Sequence, residues 1–278
     1  MKDIINRALK EDIGKEDITT KCLVPPDMRA KAIIISKEDG ILAGVDIAKQ
    51  VFASLNGEVS FITHKKDGQK IKKGDVIASL NGPAGPILSG ERLALNFIQR
   101  LSGIATLTGK FVKLCAGTGA TILDTRKTTP NLRALEKFAV KMGGGMNHRM
   151  GLYDAVLIKD NHLIAEPDIK KAVSKARKTG KTVEVEVKNF AELKKALDAK
   201  PDRILLDNMS VPRLKKAVKI KKKYSQETGK KVSLEASGGI NLNNIKNIAG
   251  TGVDFISVGA ITHSAKALDI SLEIIKCR

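Results

Sequence analysis

The sequence predicts an α/β protein in two parts, a small antiparallel sheet with a helix across it and then a series of parallel βα units. Three observations carry this reading. In the first hundred residues, short apolar runs are separated by Asp-Gly and Gly-Asp pairs, which are hairpin signals. From about residue 120 the pattern changes to β-branched runs divided by helical stretches, as parallel βα units require. Six such runs follow at intervals of roughly 20 to 35 residues, which favours a βα barrel or a close relative over a doubly wound open sheet.

In the first part, Ala32-Ile33-Ile34-Ile35 and Ile41-Leu42-Ala43 flank Lys37-Glu38-Asp39-Gly40. Val59-Ser60-Phe61-Ile62 leads through Asp67-Gly68 and Lys73-Gly74-Asp75 to Val76-Ile77. Asp46 to Leu55 reads as the helix across this sheet. Gly82-Pro83-Ala84-Gly85-Pro86 breaks the pattern, and a helix is expected from Ser89, as N-cap, through Leu93, Phe97, Ile98 and Leu101. In the second part the runs are Thr121-Ile122-Leu123, Ala155 to Ile158, Val183 to Val187, Ile204-Leu205-Leu206, Val232-Ser233-Leu234 and Phe255 to Val258. After the first of them, Thr129 is expected to cap a helix over Asn131 to Met142 with Pro130 at its first position.

The C-terminal ends of the six runs carry polar chemistry. In order they are Asp124-Thr125-Arg126-Lys127, Lys159-Asp160-Asn161-His162, Glu184 with Glu186, Asp207-Asn208, Ser237-Gly238-Gly239 and Gly259-Ala260. In a βα barrel these ends converge on one mouth, where active sites lie. Ser237-Gly238-Gly239 and Gly259 precede helical stretches on the last two strands. Close backbone approach at glycine and free amides at helix starts suit a phosphate, although ordinary strand-to-helix turns read the same way.

Glu184 and Glu186 alternate with valines, so both face one side of their strand. Inward carboxylates need cations, so with Asp207 they read as ligands of Mg²⁺ or of sugar hydroxyls, or as an ion-pair network with lysines. Arg126 and Lys127 stand ahead of a helix start, an arrangement that makes sense around an anion. Asn147-His148-Arg149 follows a glycine triplet as another donor cluster, and Lys159 closes an apolar strand. Arg92, read as lying in a helix's first turn, opposes the helix dipole. His64, His162 and His263 show no metal-ligand spacing.

Composition bounds the partners. The 278 residues include 49 Lys plus Arg against 30 Asp plus Glu, a formal charge of +19, which favours anionic ligands. Seven Phe, two Tyr and no Trp leave few stacking platforms for unpaired bases, so nucleic acid is disfavoured and small acidic substrates remain. Lys215 to Lys223 reads as a solvated helix face. The cysteines Cys22, Cys115 and Cys277 are distant from one another, against a disulfide framework or zinc site. Met1 to Lys10 has no apolar signal core and no run reaches ~18 apolar residues, so a cytoplasmic protein without membrane partners is expected.

Taken in order, Glu91-Arg92-Leu93-Ala94-Leu95-Asn96, Ser102-Gly103-Ile104-Ala105-Thr106, Asp124-Thr125-Arg126-Lys127-Thr128-Thr129-Pro130, Asn147-His148-Arg149, Ile158 to His162, Val183 to Val187, Leu206-Asp207-Asn208 and Glu235 to Ile240 resemble the quinolinate phosphoribosyltransferases, the decarboxylating nicotinate-nucleotide pyrophosphorylases of NAD biosynthesis. The match runs essentially end to end. The resemblance implies an N-terminal α/β sandwich domain over 1–107, an open, incomplete α/β barrel over 108–265, and a segment 266–278 that returns to the first domain. It implies a homodimer, sometimes assembled further, in which Arg92 reaches the neighbouring active site. Arg126, His148, Arg149 and Lys159 with that Arg92 then hold the two carboxylates of quinolinate. Lys127 and Lys159 meet the pyrophosphate of phosphoribosyl pyrophosphate, and Thr125 belongs to the same substrate pocket. Glu186 and Asp207 stand near the ribose hydroxyls and Mg²⁺. Ser237, Gly238, Gly239 and Gly259 cradle the 5′-phosphate. Lys127, Lys159, Glu186 and Asp207 are the expected catalytic set, and the role of Glu184 stays open.

Two other readings compete. A related phosphoribosyltransferase acting on nicotinate or another heterocyclic acid shares the rim, but Arg126 with His148-Arg149 favours a dicarboxylate, since one carboxylate leaves cations unneutralised. A basic nucleic-acid-binding protein on a barrel scaffold leaves Glu186, Asp207 and Ser237-Gly238-Gly239 without a task.

Overall fold

In the computed structural model, which describes residues 2–277, two helices open the chain. The first, α1 (Lys2–Ile13), buries Ile5 and Leu9. The second, α2 (Ile18–Leu23), is capped by Asp17, whose carboxylate accepts from Thr20 N–H at 3.0 Å. The residues cluster into two compact units, one of Met1–Gly109, Pro130–Gly144 and Ala265–Arg278, the other of Lys110–Thr129 and Gly145–Ser264.

The first unit is built on an antiparallel sheet. Along β1 (Arg29–Ser36) every second residue, Ala30, Ala32, Ile34 and Ser36, is buried, the period of a strand with one face on a core. After β2 (Gly40–Ile41), α3 (Val45–Leu55) buries Val45, Ile47, Ala48, Val51 and Phe52. Then come β3 (Ser60–Thr63), β4 (Lys70–Ile71) and β5 (Val76–Pro83). β1 lies between β5 and the chain's last strand, Ile270–Cys277, all antiparallel, with β3 beyond β5; β2 and β4 form a separate pair.

The long helix α4 runs over Ala84–Cys115 and corrects the expected start at Ser89. Gly85 and Pro86 form its first turn, where the N–H that proline lacks has no helical partner anyway. Ser89 is therefore interior, and its hydroxyl donates to Asp17 Oδ2 at 2.8 Å instead of capping. Arg92 falls in the third turn, so the helix-dipole argument drawn from it lapses, because that effect fades beyond the first turn. The Ser102-Gly103 pair is structural. Ser102 Oγ accepts from Ala43 N–H at 3.0 Å, and a Cβ on Gly103 would stand 1.9 Å from the Lys266 carbonyl oxygen.

The second unit holds six parallel strands. After β6 (Thr121–Leu123), the chain passes through α5 (Arg133–Met142), which clusters with the first unit and whose buried Glu136 accepts from Arg100 at 2.8 Å. This helix starts two residues later than expected, with Leu132 and not Thr129 at the N-cap, because Asn131 takes a left-handed φ of 64° that a helix cannot absorb. The remaining elements alternate: β7 (Val156–Ile158), α6 (Asp160–Ala165), α7 (Ile169–Arg177), β8 (Val183–Val187), α8 (Phe190–Ala199), β9 (Arg203–Asp207), α9 (Val211–Thr228), β10 (Ser233–Ser237), α10 (Ile245–Ala249), β11 (Phe255–Ser257) and α11 (Ala260–His263). The final strand of the first unit is β12 (Ile270–Cys277).

The strand order is β6-β11-β10-β9-β8-β7, so β6 and β7 are the two ends and the sheet does not close. It is an open α/β barrel. The backbone of Met146 lies along the free side of β6: its N–H donates to Ile122 at 2.9 Å and its carbonyl accepts from Asp124 N–H at 3.2 Å. On α9 the buried residues are Leu214, Ala217 and Val218, which leaves most of its lysines facing outward. Among the described residues no helix is long and apolar enough to cross a membrane.

Candidate active site

Parallel strands end together, and here the ends enclose a cavity of about 690 Å³ in the second unit. Thr125, Arg126 and Lys127 follow β6; Lys159 follows β7; Glu186 sits in β8 and Asp207 ends β9. Ser237, Gly238 and Gly239 close β10 and Gly259 follows β11, while His148 and Arg149 come from the loop beside β6. All twelve line the one cavity. Arg92 does not line it; it lies on α4 in the first unit with its side chain 64% exposed.

Two parts of the cavity lining differ in kind. On the last two strands the lining is backbone and small polar groups. Gly238 has φ 99°, and a Cβ there would come within 2.1 Å of Asn208 Oδ1, so no other residue fits that turn without displacing Asn208. A Cβ on Gly259 would stand 3.1 Å from Lys127 Cδ and 3.2 Å from His263 Nε2, which places the Lys127 stem against the glycine turn. Thr262 Oγ1 fixes that arrangement by donating to the Lys127 carbonyl at 2.8 Å.

Around the loops after β6 and β7 the lining is cationic. Burial and the neighbouring Arg126 guanidinium push Arg149 below the usual guanidinium range, with Glu184 and Asp154 offsetting part of the effect. Two guanidinium groups in mutual repulsion favour an anion between them. Lys159 Nζ lies 2.9 Å from Glu186 Oε2, an ion pair at the rim with Glu186 largely covered and Lys159 half-exposed. Glu186 and Asp207 present hard oxygen donors on adjacent strands, a donor set suited to Mg²⁺ shared with a phosphate.

Beneath the rim lies a buried polar layer, in which the sequence singles out Glu184 and His148 but not Arg203, Glu235 and Ser257. His148 Nε2 is 2.9 Å from Glu184 Oε2 and 3.6 Å from Glu235 Oε1. Glu235, fully buried, accepts from Ser257 Oγ at 2.5 Å and from Arg203 Nη1 at 2.7 Å, and the Arg203 guanidinium stacks 4.0 Å from the centre of the Phe255 ring. Burial first, and repulsion from Glu184 second, raise the Glu235 carboxyl to about 7, against the pull of the Ser257 hydrogen bond and the Arg203 charge. A signal for these residues existed in period-two alternation. Arg203, Leu205 and Asp207 share one face of β9, and Ser233, Glu235 and Ser237 one face of β10, as Glu184 and Glu186 do on β8. Asn208 and His263 also line the cavity, while His162 instead accepts from Lys159 N–H at 3.0 Å in the turn that opens α6.

Residues 17–102 match the family described as Quinolinate phosphoribosyl transferase, N-terminal domain, and residues 104–273 match its C-terminal domain. The chain is 44% identical over 277 residues to the probable nicotinate-nucleotide pyrophosphorylase (carboxylating) of Bacillus subtilis, covering 99% of this chain and 93% of that one. It is 42% identical over 289 residues to quinolinate phosphoribosyltransferase (decarboxylating) 1b of Nicotiana tabacum, covering 99% and 82%. Among solved structures, the nicotinate-nucleotide pyrophosphorylase of Francisella tularensis superposes with a TM-score of 0.90 at 45% identity over 98% of this chain and 95% of that one.

Proposed function

The chain belongs to the quinolinate phosphoribosyltransferase family, and from that premise we propose that it joins quinolinate to the phosphoribosyl group of phosphoribosyl pyrophosphate, giving nicotinate mononucleotide, pyrophosphate and CO₂ for NAD biosynthesis. The observation that carries the reading to this chain's own residues is a single cavity lined by glycine turns together with two guanidinium groups close enough to repel each other.

In this proposal Ser237, Gly238, Gly239 and Gly259 receive the 5′-phosphate, where close backbone approach lets amides meet its oxygens. Arg126 and Arg149 grip the two carboxylates of quinolinate and Lys159 stands beside them, with His148 as the wall against which Arg149 is set. Lys127, held over the Gly259 turn, and Lys159 face the pyrophosphate as mobile point charges, and Thr125 lines the same approach. Glu186 and Asp207 face the ribose and are the residues that would hold Mg²⁺ arriving with the phosphoribosyl donor. Bound there, the ion neutralises charge on the departing pyrophosphate.

The ring nitrogen of quinolinate attacks C1 of the ribose as the C1–oxygen bond to pyrophosphate breaks. Positive charge on the sugar is stabilised by Glu186 and Asp207, and the lysines receive the leaving anion. No side chain becomes covalently attached; orientation supplies most of the acceleration. Once the ring nitrogen is quaternised, its positive charge stabilises the electron pair left on C2 when the bond to the 2-carboxylate breaks, so CO₂ leaves after pyrophosphate and C2 then takes a proton from water. We place the chain in a homodimer in which Arg92 of the partner subunit completes the carboxylate pocket, and the exposure of Arg92 on α4 is consistent with that task. The proposed compartment is the cytoplasm.

One assay tests the reading: enzyme, Mg²⁺ and phosphoribosyl pyrophosphate with either quinolinate or nicotinate, following nucleotide and CO₂. Nucleotide and CO₂ in equal amounts from quinolinate are expected. Turnover of nicotinate alone, or CO₂ from quinolinate without the phosphoribosyl donor, overturns it.

A further inference from the structure

His148 is held from three directions. Its backbone N–H donates to Asp124 Oδ1 at 2.9 Å, and Asp124 is fully buried at the end of β6. Its ring Nδ1 accepts the backbone N–H of Arg149 at 2.8 Å. Its Nε2 faces Glu184 Oε2 at 2.9 Å. An Nδ1 that accepts a hydrogen bond carries no proton, and a carboxylate can only accept, so the network assigns the proton to Nε2.

Glu184 is unusual among the acids of the second unit. It is 4% exposed, and its other oxygen, Oε1, is buried and accepts no hydrogen bond among the described residues. A buried carboxylate with one oxygen left unmatched is costly and is poor evidence of a stabilising role. Its nearest charged contact here, at 2.9 Å, is Nε2 of the histidine that meets the peptide of Arg149.

A metal site is the competing explanation, since His148, Glu184 and Glu235 offer ligand atoms within 4.8 Å of one another. The hydrogen bonds count against it. Protonated Nε2 has no lone pair for a metal, and the oxygens of Glu235 are already engaged by Ser257 and Arg203.

We propose that Glu184 is a positioning residue for the substrate carboxylate pocket: by accepting from His148 Nε2 it fixes the ring with Nδ1 toward the Arg149 peptide and so aims the Arg149 guanidinium. This rests on the quinolinate reading and deepens it. The consequence for specificity is that the pocket's positive charge comes from guanidinium and ammonium groups, while the imidazole is a neutral strut with both nitrogens engaged by the protein. Arg149 has its own second restraint, since its Nη1 donates to the Ala155 carbonyl at 3.0 Å. Strut and carbonyl together define the guanidinium's place from its two ends.

The test has a spectroscopic and a kinetic arm. Long-range proton–nitrogen spectra of the full chain labelled at histidine, with His148 assigned by its loss in H148Q, are expected to show one protonated nitrogen, Nε2, at neutral pH. The same pattern is expected in E184Q, whose amide oxygen can accept the same bond. An imidazolium in the wild type, or a proton on Nδ1, overturns the proposal. In kinetics, Glu184→Ala is expected to raise the quinolinate KM at least tenfold while the KM for phosphoribosyl pyrophosphate stays within twofold, and Glu184→Gln is expected to restore most of the loss. Equal loss in both variants means that charge or folding matters rather than the accepted hydrogen bond, and overturns it. The spectra need no substrate and decide the matter if the alanine variant does not fold. Wild-type turnover of quinolinate reports separately on the functional reading.

Discussion

The second unit carries two layers of acidic side chains only one strand repeat apart, and they behave differently. Glu186 and Asp207 stand at the rim, in the cavity wall, with Lys159 within 2.9 Å of Glu186. Glu184 and Glu235 lie one layer deeper, nearly or wholly buried, against His148, Ser257 and Arg203. At the rim a carboxylate can exchange its lysine for a sugar hydroxyl or a cation. In the lower layer the partners are fixed, and the carboxyl groups shape what stands above them. The same residue type on the same strand thus stands in the cavity wall or in a fixed buried network according to depth.

Variants separate the layers. The largest effect is expected at the rim: Asp207→Ala should lower kcat/KM by about 10²–10³-fold, as for other groups that stabilise transition-state charge, while the unfolding midpoint moves by less than about 2 °C. Steady-state kinetics beside thermal melts check this, and a large drop in melting temperature would assign Asp207 to the framework.

The lower layer should show the reverse through pH. The Glu235 carboxyl is raised to about 7, above its ordinary 4.5, so the stability it contributes is full below pH 4.5 and is lost as pH rises through 7. The loss amounts to about 3 kcal/mol. Glu235→Gln should flatten this part of the profile, and denaturant unfolding of both proteins at pH 4.5 and 8 gives the difference. Parallel profiles would remove Glu235 as its source.

The smallest effect is expected where neither layer's charge is involved. Gly238→Ala forces a left-handed backbone and meets Asn208, which should raise the KM for phosphoribosyl pyrophosphate about tenfold and leave that for quinolinate nearly unchanged. An equal rise for both substrates would join the two parts of the cavity into one.

The rim was legible in the sequence because strand ends in a parallel sheet converge whatever the loops do, so Arg126, Lys159, Glu186, Asp207 and Ser237-Gly238-Gly239 could be collected from their positions alone. The lower layer was harder to see. Arg203 and Glu235 are single charges embedded in apolar runs, and only alternation read across neighbouring strands marks them as facing inward with Glu184. Helix starts were misplaced where proline and asparagine carry two meanings. Pro86 reads as a breaker but occupies a first turn, and Asn131 reads as helical but adopts φ 64°. The cap expected at Thr129 failed for that second reason, and the inference from Arg92's place in its helix failed with the first.

An unclosed sheet has two raw edges, each a template for another chain's backbone. On the β6 side the protein covers that template with its own Met146, two residues before His148 and three before Arg149. The segment that delivers His148 and Arg149 to the cavity therefore also covers a sheet edge. A change that detaches it uncovers backbone N–H and C=O groups of β6, so displacement of these two side chains and exposure of a raw edge have a common origin in a few backbone bonds.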